Sequence, residues 1–211
     1  MFNNGEYAKD SALFNKNHFA YLDINTLPSL RDPLMVVPEA IDLDQFYQYY
    51  GKTAYGLKLL RNVVLGKDRF DYAFRKYTEA WAFKHPTPYD FFHSINNGAG
   101  EDLNWFWKEW FFTTWTLDQA ITGVKYVDDD PSKGALITIE NKGKMILPAI
   151  IQVVQTNGET GAIQLPVDIW QRGGTWTFKY NSTSKISKAV LDPENLLPDI
   201  DKKNNDWNVG K

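Results

Sequence analysis

The stretch that most limits what this chain can become is Asp102-Leu103-Asn104-Trp105-Phe106-Trp107-Lys108-Glu109-Trp110-Phe111-Phe112-Thr113-Thr114-Trp115. It is the densest aromatic run in the sequence. At helical spacing Leu103, Phe106, Trp107, Trp110 and Phe111 share one face. Trp105 and Phe112 lie one heptad apart, off that stripe. A helix apolar on more than one face is buried between layers. The run also marks a change of period. Upstream the apolar residues recur at helical spacing, downstream at the alternation of strands. This predicts an α+β chain of two lobes, an all-α helical bundle followed by an antiparallel β-sandwich, with the aromatic helix as the wall between them. The expected boundaries are 1–118 for the helical lobe, 119–198 for the sandwich and 199–211 for a polar tail that frays.

Upstream of the run, residues 5–22 read as a helix carrying Tyr7, Leu13, Phe14 and Phe19. Pro28, Pro33 and Pro38 make 24–41 an irregular connection. A helix is expected from about Asp42 to Leu65, with Phe46, Tyr50, Ala54, Leu57, Leu60 and Val64 on one face and Gly66 as its left-handed stop. Asp68 is placed to cap the next helix, which carries Phe70, Ala73, Phe74, Tyr77, Ala80 and Trp81. Thr87, Pro88 and Asp90 form a capping-box signature for a third helix, ended by Asn97-Gly98. Downstream, strands are expected over 124–126, 135–140, 147–155, 162–170, 175–180 and 186–191. The Asn157-Gly158 pair signals a hairpin.

Composition narrows the function classes. Aromatic residues make up 15% of the chain, and the formal net charge is -3 with both signs interspersed. A nucleic-acid binder would carry a basic face, so none is expected. No apolar run reaches transmembrane length. Met1-Phe2-Asn3-Asn4-Gly5-Glu6 lacks the basic and apolar regions of a signal peptide, and the compartment stays open. There is no cysteine, which excludes thiol catalysis and disulfides.

Few residues offer chemistry. His18, His85 and His93 are the only histidines, and the last two are not at a ligand spacing. His85 reads as a loop residue and His93 as a helix-surface one. His-Glu-x-x-His, the Walker loop and Gly-x-Ser-x-Gly are all absent from the sequence. Asp128-Asp129-Asp130 reads as a solvated turn rather than a calcium loop. Asn181-Ser182-Thr183 is a glycosylation sequon by pattern. Tyr47, Tyr49, Tyr50 and Tyr55 cluster, and a Tyr hydroxyl can donate to a developing oxyanion. The plainer reading of the cluster is core packing with polar tips at water.

Three segments, in order, resemble gluzincin aminopeptidases of the aminopeptidase N type. Tyr50-Gly51-Lys52-Thr53-Ala54-Tyr55-Gly56-Leu57-Lys58-Leu59-Leu60-Arg61, followed by Gly66-Lys67-Asp68-Arg69-Phe70, is similar to the family's Tyr-x-Lys-Gly…Leu-x-x-Leu-Arg…Gly-x-x-x-Phe segment. Thr87-Pro88-Tyr89-Asp90-Phe91 resembles its Thr-Pro-x-Asp-Phe pattern. Gly100-Glu101-Asp102-Leu103-Asn104-Trp105-Phe106-Trp107 resembles the segment closing its thermolysin-like catalytic domain. The resemblance implies that Tyr50 is the oxyanion-stabilising residue, with Thr53 standing where the family has Gly. It also implies that zinc and a peptide substrate belong to a full-length protein whose metal-binding motif lies upstream. The chain itself would then hold no cofactor and no metal ligand, and would be inactive alone. A periplasmic or cell-envelope setting is compatible with such a parent. A lobe cut open is further expected to self-associate through exposed apolar surface. The alternative is a non-catalytic scaffold or binding module that keeps the fold without the metal. A weaker reading has Trp170 and Trp176 binding carbohydrate; flanking the Gly173-Gly174 turn, they read more plainly as a pair packed across one hairpin.

Overall fold

A computed structural model describes residues 32–36 and 46–209. The helix expected over 5–22 and most of the proline-rich connection lie outside the described residues. Among these residues four α-helices come first: α1 (Phe46–Leu59), α2 (Lys67–Trp81), α3 (Pro88–Ala99) and α4 (Asn104–Phe112). Seven strands follow: β1 (Gln119–Tyr126), β2 (Ala135–Asn141), β3 (Ala149–Gln155), β4 (Thr160–Leu165), β5 (Thr175–Tyr180), β6 (Ile186–Leu191) and β7 (Asp206–Asn208). The α+β reading therefore holds: a helical part, then two antiparallel sheets. One sheet has the order β1-β2-β5 and the other β4-β3-β6-β7.

The helix ends follow local chemistry, with four departures from expectation. After α1 the chain adds a π-helical turn over Leu60–Val64, where the Leu65 N–H donates to the Leu60 carbonyl at 2.9 Å. Gly66 has positive φ (82°) but extended ψ (155°), so it serves as the N-cap of α2 rather than as a left-handed stop. Asp68 then falls inside the first turn of α2, where a carboxylate favours the helix dipole without capping it. The capping box of α3 forms as read: Thr87 N–H donates to Asp90 Oδ2 at 2.8 Å, and Asp90 N–H to Thr87 Oγ1 at 3.3 Å. Yet α3 runs past Gly98 to Ala99, and Gly100, at φ 64° and ψ 36°, makes the left-handed cap. Gly98 serves packing instead, since a side chain there would meet Ala73 of α2 at 2.7 Å.

The sheets enclose their own core. On β2 and β3 alternate residues point inward, and Ile137, Ile139, Ile151 and Val153 are fully buried between the sheets. Asn157-Gly158 does turn β3 into β4, with only Gly158 taking positive φ. Trp170 is not on a strand. It sits on a 3₁₀ turn (Val167–Arg172), buried, and its Nε1 donates to the Leu147 carbonyl at 2.9 Å. Trp176 lies on β5 opposite Ile139, so the two tryptophans do not pair across a hairpin. Residues 199–209 do not read as a frayed tail either. Asp199 bridges Leu117, the Gln119 N–H donates to Asp199 Oδ2 at 2.8 Å, and β7 pairs with β6.

Helix α4 joins the two parts, but not as its two-faced pattern suggested. Leu103, Phe106, Trp107, Trp110 and Phe111 are buried, all in one cluster with Leu117, Met145, Leu147 and Leu197 from the sheet-bearing half. Trp105 packs edge-on against Phe106, and Phe112 lies partly exposed beside Tyr89 and Phe92 of α3. Phe112 thus belongs to the helical layer rather than to a face packed on the sandwich.

Candidate functional site

Tyr50 and Lys52 lie two residues apart on α1. In a helix that offset turns side chains about 200° away from each other. Accordingly Tyr50 is 68% exposed, whereas Lys52 is 4% exposed. Tyr50 therefore presents its phenol at the surface. Of the other clustered tyrosines, Tyr55 faces inward: its hydroxyl donates to the Leu196 carbonyl and its ring stacks on Trp110 at 6.0 Å. Burial, with the nearby Asp192 charge, pushes the Tyr55 phenol well above its ordinary range. Tyr55 thus holds α1 to the loop after β6. Nothing is described of the Tyr47 side chain.

The segment around Tyr50 is held from beneath. Trp110 Nε1 donates to the Lys52 carbonyl at 2.8 Å, and Lys52 Nζ donates to the Thr113 carbonyl at 3.1 Å. Trp110 lies flat on Phe106, with 3° between ring planes, and covers Gly56 so closely that a Cβ there would sit 2.2 Å from its Nε1. One turn further on, the Arg61 guanidinium grips Asp71 through both carboxylate oxygens, at 2.6 and 2.9 Å. Gln164 Nε2, from β4, donates to the Val63 carbonyl at 2.9 Å, tying the π turn to the sheet.

Two buried charges were not singled out by pattern. Lys52 was legible only as part of a motif. Burial lowers its ammonium to about 8. Glu109 stands among the aromatics of α4 and is 7% exposed. Its Oε2 accepts from the Ile146 N–H at 2.8 Å, which couples α4 to the segment before β3. Burial pushes its carboxyl up to about 7, partly opposed by that hydrogen bond and by Lys108. A spacing of three from Phe106 was the available signal that Glu109 turns inward.

The raised carboxyl makes the joint pH-dependent. The unfolded chain releases this proton near 4.5, the folded chain near 7. The folded state binds more protons between those values, so stability falls as pH rises through that window. Allowing for partial hydration, the loss is about 1–2 kcal/mol. Glu109→Gln keeps an acceptor for the Ile146 N–H and should shallow the slope between pH 5 and 8, measured as the shift of the urea midpoint. Burial also raises the Asp192 and Asp199 carboxyls above the ordinary Asp range, which contributes slope of the same sign.

His85 lies exposed in the loop between α2 and α3, and His93 is exposed on α3. His18 is outside the described residues. Among the described residues no group of three or more His, Asp or Glu side chains gathers in a way that could hold a metal ion. Among these residues the zinc that the resemblance implies finds no ligand set. Also among the described residues, no helix is long and apolar enough to cross a membrane.

The fold has a counterpart among solved structures. The crystal structure of Legionella pneumophila aminopeptidase A in complex with aspartic acid matches with a TM-score of 0.53 and 17% identity over 71% of this chain. The chain is similar in fold to part of an aminopeptidase. It spans 17% of the length of that structure. No protein-family profile and no curated protein sequence matches it. At this identity the likeness speaks for the fold alone.

Proposed function

We propose that this chain is the C-terminal part of a zinc-dependent, aminopeptidase-like metallopeptidase, contributing an oxyanion donor and a β-sandwich to a longer protein. The observation that carries the reading is the placement of Tyr50. The three motif segments fall in the order of the family, the fold resembles part of an aminopeptidase, and the residue matching the family's oxyanion Tyr presents its phenol outward. A phenol can donate a hydrogen bond to the oxygen of a tetrahedral adduct formed on a peptide carbonyl. The charge there develops only as the nucleophile adds, so the donor favours the transition state over the ground state. The chemistry that zinc supplies in such enzymes, polarising the carbonyl and activating water, would come from ligands outside the described residues. The same reading places a helical lobe over 1–118 and the sandwich from 119 onward.

The test is activity of the chain by itself. Incubated with equimolar zinc, the purified chain should neither retain the metal stoichiometrically nor hydrolyse aminoacyl p-nitroanilides. Turnover by the chain alone, abolished by a chelator, would overturn the reading. A second reading, a scaffold or binding module keeping the peptidase fold, draws on the lack of a gathered ligand set among the described residues. The reading frame preceding Met1 separates them: an intact His-Glu-x-x-His there supports the peptidase, a broken one the scaffold.

A further inference from the structure

The buried face of α1 carries a feature that the peptidase reading does not use. Lys52 is 96% buried by exposure, yet among the described residues no carboxylate lies within ion-pair distance of its ammonium. Among the described residues only the Thr113 carbonyl accepts from it, which leaves two of its three N–H donors over. Trp110 adds a cation–π contact at 5.9 Å. A buried cation without a counter-charge is costly unless something neutralises it.

A shallow pocket opens beside Lys52. Lys52, Trp110, Trp115, Leu117, Met145 and Ile200 line it, so its walls are aromatic and aliphatic and its charge is positive. Lys108, whose Nζ lies 5.8 Å over the Trp115 ring, adds a second positive charge nearby. The recess is open and has room for little more than one oxygen, so it takes only the head of an anion and leaves a short apolar body outside, against the exposed Ile200. We propose that this pocket is a binding site for a small carboxylate with a short branched aliphatic body, its head paired with Lys52 and its body against Trp115 and Ile200. The helical offset puts it on the side of α1 away from Tyr50, so the site stands independently of the peptidase reading.

The source of such a carboxylate is either a free branched-chain acid or the C-terminus of a peptide. Both arms can be run on the purified chain by calorimetry and by methyl chemical-shift titration of Ile200, Leu117 and Met145. 3-Methylbutanoate represents the free acid, and N-acetyl-leucine the peptide C-terminus. Either should bind saturably, with the tighter of the two identifying the source. 3-Methylbutanamide, which lacks the charge, should bind at least about tenfold more weakly. Lys52→Met should abolish carboxylate binding. Ile200→Trp, at an exposed position that leaves the core untouched, should fill the pocket and abolish it as well. Affinity should also fade as the pH climbs above 8, where the Lys52 ammonium gives up its proton. Absence of saturable binding, equal binding of acid and amide, or binding that survives Ile200→Trp would each overturn the proposal. Should Lys52→Met fail to fold, the amide control and Ile200→Trp decide the question.

Discussion

Trp110→Ala should cost about 3–5 kcal/mol, the range for deleting a large aromatic from a packed core. Total stability for a chain of this size is about 5–15 kcal/mol, so the variant should sit near the edge of folding. Trp110 is 1% exposed and bridges three neighbours: it stacks on Phe106, stacks on Tyr55 and donates to the Lys52 carbonyl. The mechanism is separable from simple loss of bulk. Gly56→Ala would place a Cβ 2.2 Å from Trp110 Nε1 and 2.6 Å from its Cδ1 and Cε2. Moving the ring aside would disturb its parallel stacking on Phe106 and its hydrogen bond to the Lys52 carbonyl. Overpacking of this kind costs about 1–3 kcal/mol, more than the roughly 1 kcal/mol that Ala gains over Gly in a helix. With Trp110 already replaced by Ala the obstruction is gone, so the same Gly56→Ala change should become neutral or stabilising. Urea denaturation of the two single variants and the double variant measures the coupling. Additive effects would show that the close approach of α1 and α4 does not govern this joint.

That joint also marks where the sequence was legible. The aromatic stripe of α4 was readable because helical spacing decides which side chains share a face, and all five of its members are buried. The capping box of α3 was readable because its chemistry is local. The end of α3 was not: both Gly98 and Gly100 are turn-forming residues, and only the approach of Ala73 distinguishes a packing glycine from a cap. The partner of Phe112 was likewise hidden, since periodicity gives a face but not what covers it. Strand pairing failed in the same way. Trp170 and Trp176 flank a Gly-Gly turn, yet β4 and β5 belong to different sheets, and the chain between them crosses over as a 3₁₀ turn. Polarity misled at the C-terminus. Asp199, Asn204 and Asp206 look like a solvated tail, but Asp199 accepts from two backbone N–H groups, Asn204 bonds Asp118, and β7 closes the sheet edge. For the candidate site, the motif located Tyr50 and Lys52, while their opposite orientations follow from the helix. Glu109 was obscured because a lone acid among tryptophans has no pattern of its own.

Tyr50→Phe should lower kcat by about 10²–10³ in the longer peptidase that the proposed function implies, the loss measured for removing one oxyanion donor elsewhere. The substitution removes one oxygen from a side chain that is 68% exposed, so it should leave the folding midpoint within about 0.5 kcal/mol. That contrast is what makes the variant informative. Loss of a donor used only in the transition state lowers kcat and kcat/KM together, with KM nearly unchanged. A rise in KM alone would instead assign Tyr50 to substrate binding. Lys52→Met provides the comparison on the same helix. Its ammonium is on the buried side and bonds the Thr113 carbonyl, so its removal should act on stability and on the carboxylate pocket rather than on kcat. Thr53 does not alter the expectation, because the donor is the Tyr50 side chain and α1 is helical through this position. Steady-state kinetics on an aminoacyl p-nitroanilide, paired with denaturation curves for both variants, decides the matter. An unchanged kcat for Tyr50→Phe in an active peptidase would remove Tyr50 from the chemistry and leave the motif as a structural element of α1.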